Sequence, residues 1–170
     1  NSAVGTPRRY YQAFAEFLAA QGFAVVTYDY RGALVREARA ARVSPASLLA
    51  WGGQDQPAVT RYLRQRYPDH AIALIGHSVG GQIIGLSPAA RQLAAVAVVA
   101  SGHGYWRRIG DAARRRRRAF HLYVSGPLAL AVFGYLPGFA MGGGAPKGPL
   151  HAREFLRFGR SPHYFCKEDG

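Results

Sequence analysis

One cysteine and one methionine stand among 170 residues, and of 22 basic side chains only Lys147 and Lys167 are lysine. The lone Cys166 has no partner for a disulfide, which excludes a cross-linked scaffold. With cysteine so scarce and the six histidines scattered, no C-x-x-C or H-E-x-x-H appears. No metal site and no cofactor are therefore expected. Acids are also scarce: nine against 22 bases leave a net charge of +13. The chain shows no internal repeat, no phosphate-loop lysine and no dinucleotide glycine spacing. What is abundant is apolar surface, 49% of residues, too much for a disordered basic tail and enough for one domain with one core.

The basic excess is arginine. Five form one run, Arg114 to Arg118, with Arg107 and Arg108 just upstream. Such a cluster can bind phosphate, anionic lipid or an acidic substrate through counterion release and bidentate hydrogen bonds. No aromatic-interleaved recognition motif surrounds it, so nucleic acid is not an expected partner and a solvated helix face is the first reading. The longest apolar stretch, residues 120–140, reads FHLYVSGPLALAVFGYLPGFA. Its length could span a bilayer, but His121, Pro127, Pro137, Gly126, Gly134 and Gly138 interrupt it, and a buried or lid-type apolar hairpin is expected instead. No leader with a charged end, an apolar centre and a cleavage site is visible, so a cytoplasmic location is expected.

Apolar spacing of three and four (Tyr10, Tyr11, Phe14, Phe17, Leu18) predicts a helix over 7–21, ended by Gly22. A β-rich run over 23–28 predicts a strand buried on both faces. Further along come a helix over 54–67, a strand over 71–75, a helix over 82–86 and a buried strand over 93–100. This alternation specifies an α/β fold with a parallel sheet. After Gly102 it stops, and residues 103–165 read as a helical, aromatic insertion punctuated by proline and glycine.

Between the strand over 71–75 and the following helix lies Gly76-His77-Ser78-Val79-Gly80, which matches G-x-S-x-G. The pattern needs a strained turn that lifts the serine Oγ above the sheet edge, with small residues two positions either side to avoid clashes. The helix start below the serine offers the Val79 N–H to an oxyanion.

On these residues the chain resembles the α/β-hydrolase superfamily, over nearly its whole length. Asn1 to Gly5 is similar to the loop after the third strand of that fold, with Ser2-Ala3 where His-Gly is common. The resemblance implies Ser78 as nucleophile, Val79 and Val4 N–H groups as oxyanion donors, and Gly76, His77 and Gly80 as parts of the elbow. Asp29-Tyr30-Arg31-Gly32 resembles the D-x-R-G of serine-aminopeptidase-like and lipase-like members, with Ala33-Leu34-Val35-Arg36 replacing the usual Gly-x-Ser continuation. Trp51-Gly52 with Asp55, Ser101 to Trp106 and Phe133 to Gly138 are similar to bacterial α/β-hydrolases with a helical cap after the sixth strand. The implied organisation is a hydrolase core over 1–102, carrying the nucleophile half of the sheet, a helical cap over 103–165, and a return to the core from 166–170. The implied activity is that of a serine hydrolase, an esterase, lipase, thioesterase or peptidase, with a small-molecule or acyl, lipid-like substrate.

In this superfamily an acid and then a histidine follow the serine in chain order. After Ser78 the acids are Asp111, Glu154, Glu168 and Asp169, and the histidines are His103, His121, His151 and His163. The superfamily places its acid and histidine after later strands, and no buried strand is predicted beyond residue 100. Asp111 reads as a solvated salt-bridge partner of the arginine run, the four histidines as surface or packing residues, and His77 as pointing away from the serine. Acid and base are thus expected beyond Gly170 and the first strands ahead of Asn1, leaving this segment by itself inactive. The other reading is a non-catalytic protein of the same fold whose segment 107–140 docks on an anionic membrane or a partner.

Overall fold

A computed structural model describes residues 1–141 and 145–165. A 3-10 turn, Arg8–Tyr11, leads into helix α1, Gln12–Ala20, and Gly22 ends it at a φ of +87°. Helix α2, Ala38–Arg42, is a single short turn. The next helical stretch begins as α3, Leu48–Ala50, widens into a π-turn over Trp51–Asp55 and continues as α4, Gln56–Arg66. The same construction recurs as α6, Ala112–Phe120, a π-turn over His121–Ser125 and α7, Gly126–Phe133. Each π-turn lies directly ahead of a proline, Pro57 or Pro127. In a regular α-helix that ring would strike the carbonyl four residues back, and the wider turn moves the carbonyl aside.

The sheet holds two parallel strands among the described residues. Strand β1, Ala73–His77, pairs with β2, Ala95–Val99, in register from Ala73 opposite Ala95 to His77 opposite Val99. Helix α5, Val79–Gln82, and two 3-10 turns make the crossover. On the other edge of β1, the Asn1 nitrogen donates to the Ile75 carbonyl at 2.7 Å and the His77 N–H donates to the Asn1 carbonyl at 3.0 Å. Because successive residues of a strand point their backbone groups to opposite sides, these bonds lie away from β2 and follow a parallel ladder.

Two strand expectations need correction. Residues 23–28 carry neither helix nor strand, and Phe23 is 61% exposed. Strand β2 forms where it was expected, but all five of its residues are exposed. The reason is that a two-stranded sheet offers no further layer to cover the outer strand. The surface total agrees: 10277 Å², against about 8,200 Å² from the scaling for a compact chain of this mass.

The main core joins Tyr30, Ala46, Leu48, Trp51, Val79, Ile83 and Phe158. Phe158 comes from α8, Pro149–Arg160, so the insertion shares the core of the preceding residues. A second cluster, Ala129, Leu136, Ala140 and Ala152, packs α7 and its following turn against α8. The expected buried hairpin over 120–140 is only half buried. It is a helix to Phe133 and then a turn through Gly134, with Phe120, Leu128 and Val132 in solvent. Among the described residues no helix is long and apolar enough to cross a membrane. Residues 166–170, expected to begin the return to the core, lie outside the described residues, and with them Cys166, Glu168 and Asp169.

Glu154 on α8 is buried, and both its oxygens are used at the start of α3. The Ser47 hydroxyl donates to one at 2.7 Å and the Leu48 N–H to the other at 2.6 Å. A carboxylate here satisfies an orphan helix N–H and complements the helix dipole. Glu154→Ala is expected to lower stability by about 2–3 kcal/mol in urea unfolding, since hydrogen bonds to a charged acceptor are lost inside the protein. Glu154→Gln, which keeps an acceptor, loses less.

Candidate active site

Ser78 occupies the junction of β1 and α5 with φ 53° and ψ −121°, a conformation L-residues rarely adopt. The turn is held in place from both edges of β1. The Ser78 N–H donates to the Val99 carbonyl at 2.9 Å, and the neighbouring His77 N–H is bonded to Asn1 on the other side. The glycines around it are sites of close backbone approach. A Cβ on Gly76 would lie 2.5 Å from the Gly81 Cα, and one on Gly80 would lie 2.5 Å from the Asn1 carbonyl oxygen. Gly81 is equally tight, with the Ser101 Oγ 2.1 Å from where its Cβ would stand. Any side chain at these positions would push apart β1, α5, the Asn1–Ser2 segment and the residues following β2.

The Asn1–Gly5 segment is brought beside this turn. Asn1 Nδ2 donates to the Gly80 carbonyl at 3.0 Å, and the Tyr28 hydroxyl donates to Asn1 Oδ1 at 2.5 Å. Gly5 turns at a φ of +69°, and Val4 packs on the main core. The Ala3 N–H donates to the Tyr11 hydroxyl at 2.9 Å, which stands 2.9 Å from His77 Nδ1. The Tyr11 hydroxyl thus bridges the Ala3 N–H and the His77 ring. His77 is thereby tied to Tyr11 and not to Ser78. Val79, buried at the first position of α5, has no acceptor within its own helix for its N–H.

A second group of residues holds the 29–32 loop. The Tyr30 ring stacks on Trp51 with centroids 4.8 Å apart, and the Trp51 indole N–H donates to the Arg31 carbonyl at 2.9 Å. Asp55 accepts from the Arg31 N–H at 3.1 Å and from its guanidinium at 2.5 Å. Asp29 accepts from the Arg8 N–H at 2.7 Å. The tryptophan and aspartate singled out in the sequence thus act together on one loop, across the π-turn that separates them.

The contacts of His103, His121, His151, Asp111 and Glu154 lie elsewhere than at the Ser78 hydroxyl. His103 Nδ1 accepts from the Tyr105 N–H at 3.1 Å, and His121 pairs with the Ser125 hydroxyl at 3.0 Å. His151 is buried edge-on against Trp51, with centroids 4.9 Å apart, and His163 is exposed near the end of the described chain. Asp111 is not the ion-pair partner expected of it: it caps α6, accepting from the Arg114 N–H at 2.6 Å. The ion pairs among the described residues are Arg8 with Asp29 and Arg31 with Asp55. No three His, Cys, Asp or Glu side chains converge among the described residues.

Sequence reasoning missed Tyr11, Asn1, Gln82 and Tyr164. The Gln82 side chain donates to the Gly102 carbonyl and accepts from the Tyr164 hydroxyl at 2.9 Å, so it joins α5 to the segment after β2 and to the residues after α8. Burial raises the Tyr164 pKa to about 12, which keeps the hydroxyl protonated as that donor. The signal available was position: Gln82 directly follows the glycine pair, and Tyr11 doubles Tyr10 in the turn that leads into α1.

A strand leading into a strained serine turn, closed by glycines against a helix start, is an α/β arrangement. The family profile described as Serine aminopeptidase, S33 matches residues 5–123, most of the chain, and the protein belongs to that α/β-hydrolase family. Searches of curated proteins and of solved structures gave no significant match.

Two outcomes follow from the site. Ser78→Gly relieves the strained φ and is expected to unfold at higher urea than Ser78→Ala, by about 1–2 kcal/mol, because only glycine adopts this conformation freely. His151 is neutral in the fold, its pKa pulled down to about 3 by burial and then by the Lys147 charge. The unfolded chain binds that proton near pH 6.5, so stability falls as pH drops from about 6.5 towards 3, by at most about 1.4 kcal/mol per pH unit. His151→Phe is expected to flatten that dependence when urea midpoints are compared at neutral and mildly acidic pH.

Proposed function

We propose that Ser78 is the nucleophile of a serine hydrolase acting on an ester, thioester or amide of a small or lipid-like acyl substrate. The observation that carries this reading is the Ser78 backbone itself, φ 53° and ψ −121° at a strand-to-helix junction walled by Gly76, Gly80 and Gly81. Strain of this kind persists where surrounding contacts over-determine it, and it exposes a side chain above a sheet edge. The Ser78 oxygen attacks the acyl carbonyl and gives up its proton to a general base. The tetrahedral oxyanion is held by the Val79 N–H and by a second donor from the Asn1–Gly5 segment. Val4 suits that role, because the Ala3 N–H is already engaged by Tyr11. Collapse expels the alcohol, thiol or amine and leaves an acyl ester on Ser78, which water then hydrolyses.

The base and its orienting acid come from outside the described residues in this reading, because His103, His121 and His151 are engaged away from the Ser78 hydroxyl. Residues 103–165 act as a cap over the core of 1–102. A fluorophosphonate probe is expected to label the native protein at Ser78 and to leave Ser78→Ala unlabelled; equal labelling of the two overturns the proposal. Residues 1–170 alone are expected to turn over acyl esters poorly. Brisk turnover abolished by changing His121 or His151 would place the base within them instead.

A further inference from the structure

The helix from Ala112 to Phe133 carries two features the proposed hydrolysis does not use. Arg116, Phe120, Val124, Leu128 and Val132 follow one another at four-residue spacing, and all five are exposed, the apolar four by 54, 50, 62 and 66%. In a straight α-helix such a row drifts by roughly 40° per step. The π-turn at His121–Ser125 takes back part of that drift in mid-row. The opposite face is spoken for: Leu122, Gly126 and Ala129 are buried, with Gly126 against Leu156 of α8.

The row begins in the arginine run. Arg115 bonds the Ile109 carbonyl and Arg118 lies over the Phe155 ring, both turned towards the protein. Arg116 and Arg117 stand in solvent, and neither has an ion pair among the described residues. No Asp or Glu occurs from Ala112 to Arg153. The nearest acids are already used, Asp111 on the Arg114 N–H and Glu154 on α3.

We propose that this helix lies in the plane of an anionic lipid surface, the Phe120–Val132 row inserted among acyl chains and Arg116 and Arg117 on the headgroup phosphates. An interfacial helix needs an insertable apolar stripe with cations beside it and no internal acids, and this one has all three. The other occupants fit less well. A second copy, itself carrying +13, would be repelled from the arginine end. Nucleic acid would meet the arginines but leave the apolar row in water. Spanning is excluded by the arginine-rich first half of the helix.

The test is co-sedimentation of the chain with phosphatidylcholine vesicles, with and without phosphatidylglycerol. Binding is expected to need phosphatidylglycerol, to weaken about fivefold for each of Arg116→Ala and Arg117→Ala, and to weaken at high salt. Leu128→Asp and Val132→Asp are expected to weaken it at least tenfold with helical circular dichroism unchanged, because both side chains are exposed. The milder Leu128→Gln should move binding the same way. Ser78→Ala should bind as the parent does, which separates this inference from the hydrolytic one. No sedimentation, equal binding to neutral vesicles, or aspartate variants that bind like the parent overturns it. So does a concentration-dependent dimer abolished by Leu128→Asp without vesicle binding, which would make the row an interface between copies.

Discussion

Gly76 and Gly80 allow backbone to meet backbone, and Gly81 lets the Ser101 side chain approach, at separations that a single Cβ would forbid. Around them converge β1, α5, the Asn1–Ser2 segment and the residues that follow β2. Ser78 is strained because it must pass from strand to helix inside that contact within one residue. Strain at a non-glycine residue costs on the order of 1–3 kcal/mol, and here it is offset by hydrogen bonds to both edges of β1. A turn braced on both sides cannot relax, so the serine side chain has a fixed direction relative to the sheet.

Outside that turn the fold is tied together by α8. Phe158 enters the main core, His151 meets Trp51 edge-on, and Glu154 closes the start of α3. Trp51 in turn stacks on Tyr30 and bonds the Arg31 carbonyl, so one helix reaches the 29–32 loop through a single indole. The helical segment after residue 102 is therefore coupled to the residues around the serine by packing and by hydrogen bonds. The outer face of α6 and α7 takes no part in this and is left to solvent, with its arginines unopposed.

The helix over 7–21 and the parallel alternation around residues 71–100 were legible because apolar spacing follows the period of the element that forms, although α1 buries none of its residues and leaves Phe14 and Phe17 exposed. The turn at Ser78 was legible for a different reason: its glycines mark close backbone approach wherever the chain folds this way. The two strand errors share one cause. Apolar β-formers in residues 23–28 and 95–99 report the residues' preference for burial, while burial itself depends on whether another layer lies above them. Asp111 was misread as an ion-pair partner, and Glu154 was given no role, because charge alone does not reveal a cap. Both became legible only when the first backbone N–H groups of α6 and α3 were seen to point at them.

The sequence by itself determined the local grammar: where Pro57 and Pro127 exclude a regular α-helical turn, and which serine stands between glycines. Those features depend on neighbours within a few residues, and sterics acts at that range. Tertiary structure alone decided that Tyr11 captures His77, that Asn1 edges β1, that Gln82 meets Tyr164, and that a row of four apolar side chains faces water. Each of these joins residues far apart in the chain or turns on which face of a helix finds a partner. No local pattern carries that information, because it is created when separate elements pack.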